Sequence, residues 1–177
     1  MIPSPTDDVL TRLIERVDGR YYGKYRGLVT DNKDPDNLGR LKAKVPRLLG
    51  DEPTGWALPA FAYGGAKEQG LFAVPDVGAG VWIEFEGGDL SYPLWTGTWY
   101  GTGAIPESAK PGKKVWKTTS GHKLVLDDDG KTLLLADANG NSITMDANGI
   151  AITDANGNSI ALTASGISVN NGALEIT

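Results

Sequence analysis

From residue 121 onward, apolar side chains come in pairs separated by one position: Leu124/Leu126, Leu133/Leu135, Ile143/Met145, Ile150/Ile152, Ile160/Leu162, Ile167/Val169 and Leu174/Ile176. A spacing of two places both members on one face of a strand. The first members follow one another at intervals of 9, 10, 7, 10, 7 and 7 residues. A longer repeat overlies them, because DANGNSITM at 137–145 returns as DANGNSIAL at 154–162, 17 residues later. Short strands recurring at a fixed period, with Asn-Gly or Asp-Gly where the chain must turn, mark a solenoid-like array.

The preceding region has a different rhythm. Gly39 to Val45 alternates, with Leu41, Ala43 and Val45 on one side and Arg40, Lys42 and Lys44 on the other. This is the period of a half-buried strand. Val81, Ile83 and Phe85 alternate with Trp82, Glu84 and Glu86, and Tyr22 to Thr30 and Leu94 to Tyr100 read as further strands. Turn clusters at 31–39, 75–80 and 86–89 separate them. Five or six short strands in 20–103 fit a small closed barrel of the OB type. Residues 7–17 read as a short amphipathic helix with Thr6 as N-cap, Val9, Leu10, Leu13, Ile14 and Val17 on one face and Gly19 as its stop, a helix that either packs on its own domain or docks on a partner. The fold class expected is all-β: a helix or docking segment at 1–19, an OB barrel at 20–103, a linker at 104–120 and a repetitive tail at 121–177.

Composition sharpens that division. All 14 aromatic residues lie between Tyr21 and Trp116, and all ten prolines lie at or before Pro111. Net charge runs from −2 over 1–19 to −1 over 20–105, +3 over 106–120 and −5 over 121–177. Lys110, Lys113, Lys114 and Lys117 therefore read as a solvated connector. Cysteine is absent, so neither a disulfide framework nor a thiolate metal site stabilises the chain. No N-terminal basic and apolar pattern marks a signal peptide, which implies synthesis in the cytoplasm.

The tail cannot close a core alone. Its paired residues supply no aromatic and too little apolar volume for one chain of this size. A triangular prism wound from three chains solves this. Leu124, Leu126, Leu133, Leu135, Ile143, Met145, Ile150, Ile152, Ile160, Leu162, Ile167 and Val169 then face a shared axis. Val125, Leu134, Thr144, Ala151, Ala161 and Ser168 face outward, and each strand pairs with strands of neighbouring chains. Seven layers at ~4.8 Å would make an intertwined β-helical needle on the order of 34 Å long.

The run YYGKYRGLVTDNKDPDNLGRLKAKVP at 21–46, GWALPA at 55–60, FAVPDVGAGVWIEFEGGD at 72–89 and LWTGTWYG at 94–101 resembles the OB domain of contractile-tail spike proteins. These are the phage baseplate assembly protein V family and the spikes of contractile injection systems and type VI secretion. KTTSGHKLVLDDDG at 117–130 resembles the entry into their triple-stranded β-helix. The resemblance implies a homotrimeric, non-enzymatic central spike. It would sit in a virion tail baseplate or an extracellular injection particle and lead the tube through the target cell envelope. No tube-like hub domain precedes the barrel, so a separate hub or tube protein is expected as partner, docked through Val9, Leu10, Leu13 and Ile14. The end NNGALEIT lacks the His-x-His that holds iron at the apex of some relatives. A separate conical tip protein of the PAAR-repeat type is expected instead, contacting Leu174, Ile176 and Thr177.

Other chemistry is poorly supplied. His122 is the single imidazole and reads as a capping or packing residue at the head of the first tail strand. Glu84 and Glu86 share a strand face, as two glycosidase carboxylates would, yet such pairs are ordinarily solvated. The DDDG and DANG loops carry calcium-type oxygens but match neither the EF-hand nor the nonapeptide spacing, so turn formation accounts for them. No catalytic residue, metal or cofactor is expected. The alternative function is single-stranded nucleic-acid binding by the barrel, with Arg40, Lys42, Lys44 and Arg47 as the basic face and Tyr22, Tyr25, Trp82, Trp95 and Trp99 for stacking. Nine basic against ten acidic residues in the barrel give that reading little counterion-release drive. A trimeric adhesin or fibre would share the tail but not the barrel motifs.

Overall fold

The computed structural model describes residues 9–10, 13–14 and 17–176, with backbone only at Glu175. They fall into two compact units, Met1–Gly101 and Thr102–Thr177.

In the first unit, β1 (Tyr25–Asp31), β2 (Lys42–Lys44), β3 (Leu58–Pro59), β4 (Gly80–Phe85) and β5 (Pro93–Trp99) make one sheet in the order β2-β1-β4-β5-β3. The two ends of that order meet. Leu41 and Ala57 exchange backbone hydrogen bonds, Leu41 N donating at 3.2 Å and Ala57 N at 2.8 Å, which closes the sheet into a barrel. Leu41, Ala43, Val45, Val81, Ile83 and Phe85 fill the interior with Val29, Ala57 and Trp95, as their alternation requires. Gly27 is needed on this inner face, because a Cβ there would lie 3.0 Å from Ile83 Cγ1 and 3.2 Å from the Ala43 methyl.

The turn at 31–39 is organised by one carboxylate. Asp34 accepts from the backbone N–H of Asp36, Leu38 and Arg40 and from the Arg40 guanidinium at 2.5 and 2.9 Å. The Arg40 side chain, then the backbone donors, hold its carboxyl well below the usual carboxylate range. The EGGD turn joins β4 to β5 through a short 3-10 turn at Glu86–Gly88.

Helical backbone is seen at 9–10, 13–14 and 17, with Asp18 N donating to Ile14 O at 2.7 Å. Val9, Leu10, Leu13, Ile14 and Val17 are exposed. Thr6, the expected cap, lies outside the described residues. Among the described residues, no helix is long and apolar enough to cross a membrane.

The second unit is an eight-stranded antiparallel meander of β6 (Lys113–Lys117), β7 (Lys123–Asp127), β8 (Thr132–Ala136), β9 (Ser142–Asp146), β10 (Gly149–Thr153), β11 (Ser159–Thr163), β12 (Gly166–Val169) and β13 (Leu174–Ile176). Within the single chain, each strand pairs antiparallel with its sequence neighbours. The reason is local: turns of two to five residues return the backbone at once, and an antiparallel ladder is what such turns feed. Within 104–120, expected as a solvated linker, Lys113–Lys117 forms the strand β6 paired to β7. Its lysines are neutralised by neighbours, Lys110 by Asp129 at 2.8 Å, Lys114 by Asp128 and Lys117 by Glu107.

The 17-residue repeat resolves into a five-residue strand, a two-residue turn, a second five-residue strand and a five-residue turn. This also explains the alternating intervals of 7 and 10, which are one strand plus a short or a long turn.

Candidate functional site

Cross-strand register builds the main candidate surface from the paired apolar residues. One column runs Leu124, Leu135, Ile143, Ile152, Ile160, Val169 and Leu174; the other runs Leu126, Leu133, Met145, Ile150, Leu162, Ile167 and Ile176. Directly opposed residues on antiparallel strands share a face, so all fourteen lie on one side of the sheet. Most are left in water by the single chain: Ile160 is 41% exposed and Leu174 57%. An unbroken apolar strip across seven strands exceeds what a soluble monomer leaves uncovered. The strip requires another surface against it.

The opposite face carries Leu134 on β8 and then Thr144, Ala151, Ala161 and Ser168, small or hydroxylated from β9 onward. Val125 departs from that pattern. Expected to face outward, it is only 6% exposed. Glu107 stands there between Lys117 (2.5 Å) and Lys123 (3.2 Å), both on Val125's face, and the lysines, Lys117 first, lower its carboxyl pKa.

Turn chemistry sets the edges of the sheet. In both DANGN turns the Asp carboxylate accepts from the backbone and side-chain N–H groups two and four residues on: Asp137 from Asn139 and Asn141, Asp154 from Asn156 and Asn158. These donors, the Asn141 and Asn158 side chains foremost, pull both carboxyls below their ordinary pKa. The acidic loops thus spend their oxygens internally. Among the described residues no group of three His, Cys, Asp or Glu is placed to hold a metal ion.

The long turns are also tied to one another. Asn141 Oδ1 accepts from Ala155 N at 3.1 Å, Asn158 Oδ1 from the Asn170 side chain at 3.2 Å, and His122 Nδ1 from Ala138 N at 3.2 Å. All three acceptors stand immediately before a strand, so His122 occupies the position that Asn holds in the later repeats. This role is invisible to the repeat as read from sequence, since imidazole and amide look unrelated until their acceptor atoms are compared.

On the barrel, several of the residues that suggested nucleic-acid binding are engaged otherwise, while Tyr22 stays exposed. Arg40 is fixed on Asp34 and Asp36, Lys44 on Asp51, and Trp95 is buried with its indole N–H donating to Gly39 O at 3.0 Å. Trp99 donates to Val81 O, and Arg26 stacks between Trp82 and Trp99 at 5.7 and 5.4 Å from the ring centroids. Glu84 pairs with Lys24 at 3.1 Å, and Glu86 begins the β4–β5 turn. Among the described residues no nucleophile or base partners either carboxylate. The remaining candidates are apolar: the helical residues Val9, Leu10, Leu13 and Ile14, and Leu174 and Ile176 on the terminal strand. Thr177 lies outside the described residues.

A closed OB barrel joined to a repetitive antiparallel sheet with one exposed apolar face defines a structural subunit with a surface left to cover. Comparison with protein families agrees in both halves. Residues 25–100 match the type VI secretion system/phage-baseplate injector OB domain, and residues 113–175 match the phage baseplate V C-terminal trimerisation domain. No curated protein matches the chain. The two matched spans cover more than three quarters of the sequence, and the chain belongs to the phage baseplate V family of spike proteins. It is a structural tail or baseplate component with a self-trimerising C-terminal domain. The second match begins at Lys113 and so includes β6, in accord with the sheet.

Proposed function

We propose that three copies of this chain bring their apolar columns to a common axis and form the central spike between the tube or hub of a contractile injection machine and its membrane-piercing tip. The observation that carries this reading is the pair of unbroken columns, which needs a partner surface of the same kind along its whole length. A three-fold arrangement of identical faces gives each column that surface, and the opposite face, small or hydroxylated from β9 onward, suits the outside. The exposed helical residues Val9, Leu10, Leu13 and Ile14 would dock on the hub. Leu174, Ile176 and Thr177 would receive a conical tip protein, since β13 ends the sheet with an unpaired edge and exposed side chains. The particle would then act on a target cell envelope.

The test contrasts the two faces. Ile160→Asp places three carboxylates in the shared core, where burial without partners is prohibitive. Ala161→Asp adds a charge to the outer face. Sedimentation should show trimers for the wild type and Ala161→Asp and loss of assembly for Ile160→Asp. Equal assembly of both variants would refute the inward assignment.

A further inference from the structure

We propose that Trp116 closes the β6 end of the core shared by three copies of this chain, its indole meeting Trp116 and Leu124 of the two other copies. The proposal extends the trimeric reading above and depends on it. Trp116 pairs directly with Leu124, so its side chain continues the column that runs on to Leu174. It is the single aromatic residue between 102 and 177, and it is 56% exposed on that face. The other column ends differently. Lys114 pairs with Leu126 and its ammonium is drawn aside to Asp128 at the turn, which leaves the indole as the apolar body at this end.

Its place in the stack suits an indole. A tryptophan has a large apolar body and an N–H that requires a partner, a combination that fits the last layer of a core, where one side is dry and the other wet. In a middle layer three N–H groups would be buried; at the end they can reach water. A second and third copy are the occupants indicated, because the matched trimerisation domain starts at Lys113 and the exposed strip is continuous from β6 onward.

The test uses the full chain with the photoreactive p-benzoylphenylalanine at position 116, and at position 115 as the opposite-face control, with sedimentation run on the same samples. Chain-to-chain adducts after illumination should be abundant for 116, mapping to the neighbour's 114–126, and absent for 115. As a second measurement, the Trp116 emission, taken as wild type minus Trp116→Phe, should resist quenching by iodide. Trimers that give only within-chain adducts at 116, or whose Trp116 emission is freely quenched, would overturn the proposal and leave the trimeric reading intact. A wild-type chain that sediments as a monomer would overturn both.

Discussion

At Gly149 a single hydrogen in place of a side chain lets β10 lie against β11. Its φ is 132°, and a Cβ there would lie 1.9 Å from Leu162 O on β11, a backbone atom no rotamer change can move. Gly149→Ala should cost more than ~2 kcal/mol per chain and show as a lowered melting temperature. His122 makes the opposite kind of prediction. Asn at this position restores the acceptor used in later repeats, so His122→Asn should be neutral while His122→Ala loses about 0.5–1 kcal/mol. Equal losses in calorimetry would remove the acceptor role. Asp34 gives the pH dependence. Its folded pKa is depressed, so its contribution is present above the unfolded value of about 3.9 and fades as pH falls toward the lower folded value. The stability gap between wild type and Asp34→Asn should therefore be constant from about pH 5 to pH 8 and narrow below about pH 4. A gap that widens in acid would contradict the sign.

At the scale of elements, the tail is a ladder whose backbone is satisfied within one chain, while its side chains are not. That separation has a consequence for assembly. Because β6 to β13 pair consecutively through short turns, each chain can form its sheet by local contacts before it meets another. The apolar face then drives association. Disrupting a layer by Ile160→Asp should leave strand content largely intact by circular dichroism while preventing trimers, a result a fully interchain ladder would not give. The barrel obeys a different logic. Its closure rests on the Leu41–Ala57 pair and on the turn held by Asp34, both of long or irregular connection.

For the molecule as a whole, the trimer should be kinetically resistant, since three apolar faces must separate together. Unfolding in denaturant should be slow and show hysteresis against refolding. The ends can be examined separately. Removing 1–19 should keep the trimer and reduce its incorporation into particles, whereas loss of trimerisation would assign the helix to the fold. Removing 170–177 takes away β13 with Leu174 and Ile176 and should abolish co-purification of the tip protein from an otherwise assembled spike.

What the sequence determined by itself was everything carried by period. Alternation at 39–45 and 81–86 named six barrel-core residues, and the spacing of two named both columns of the tail face, because strand geometry alone fixes which side chains share a side. Motifs supplied the family. The tertiary structure decided what depends on partners distant in the chain or on unlike atoms in like roles. KKVWK at 113–117 reads as a charged connector until Asp129, Asp128 and Glu107 are seen to neutralise Lys110, Lys114 and Lys117, leaving Val115 and Trp116 to act as strand residues. Val125 looks outward by register and yet is buried, on the same face as the lysines that Glu107 bridges. The strand order within the chain is likewise undetermined by period, since several arrangements show the same apolar pairs; the path of the backbone places each strand beside its sequence neighbour.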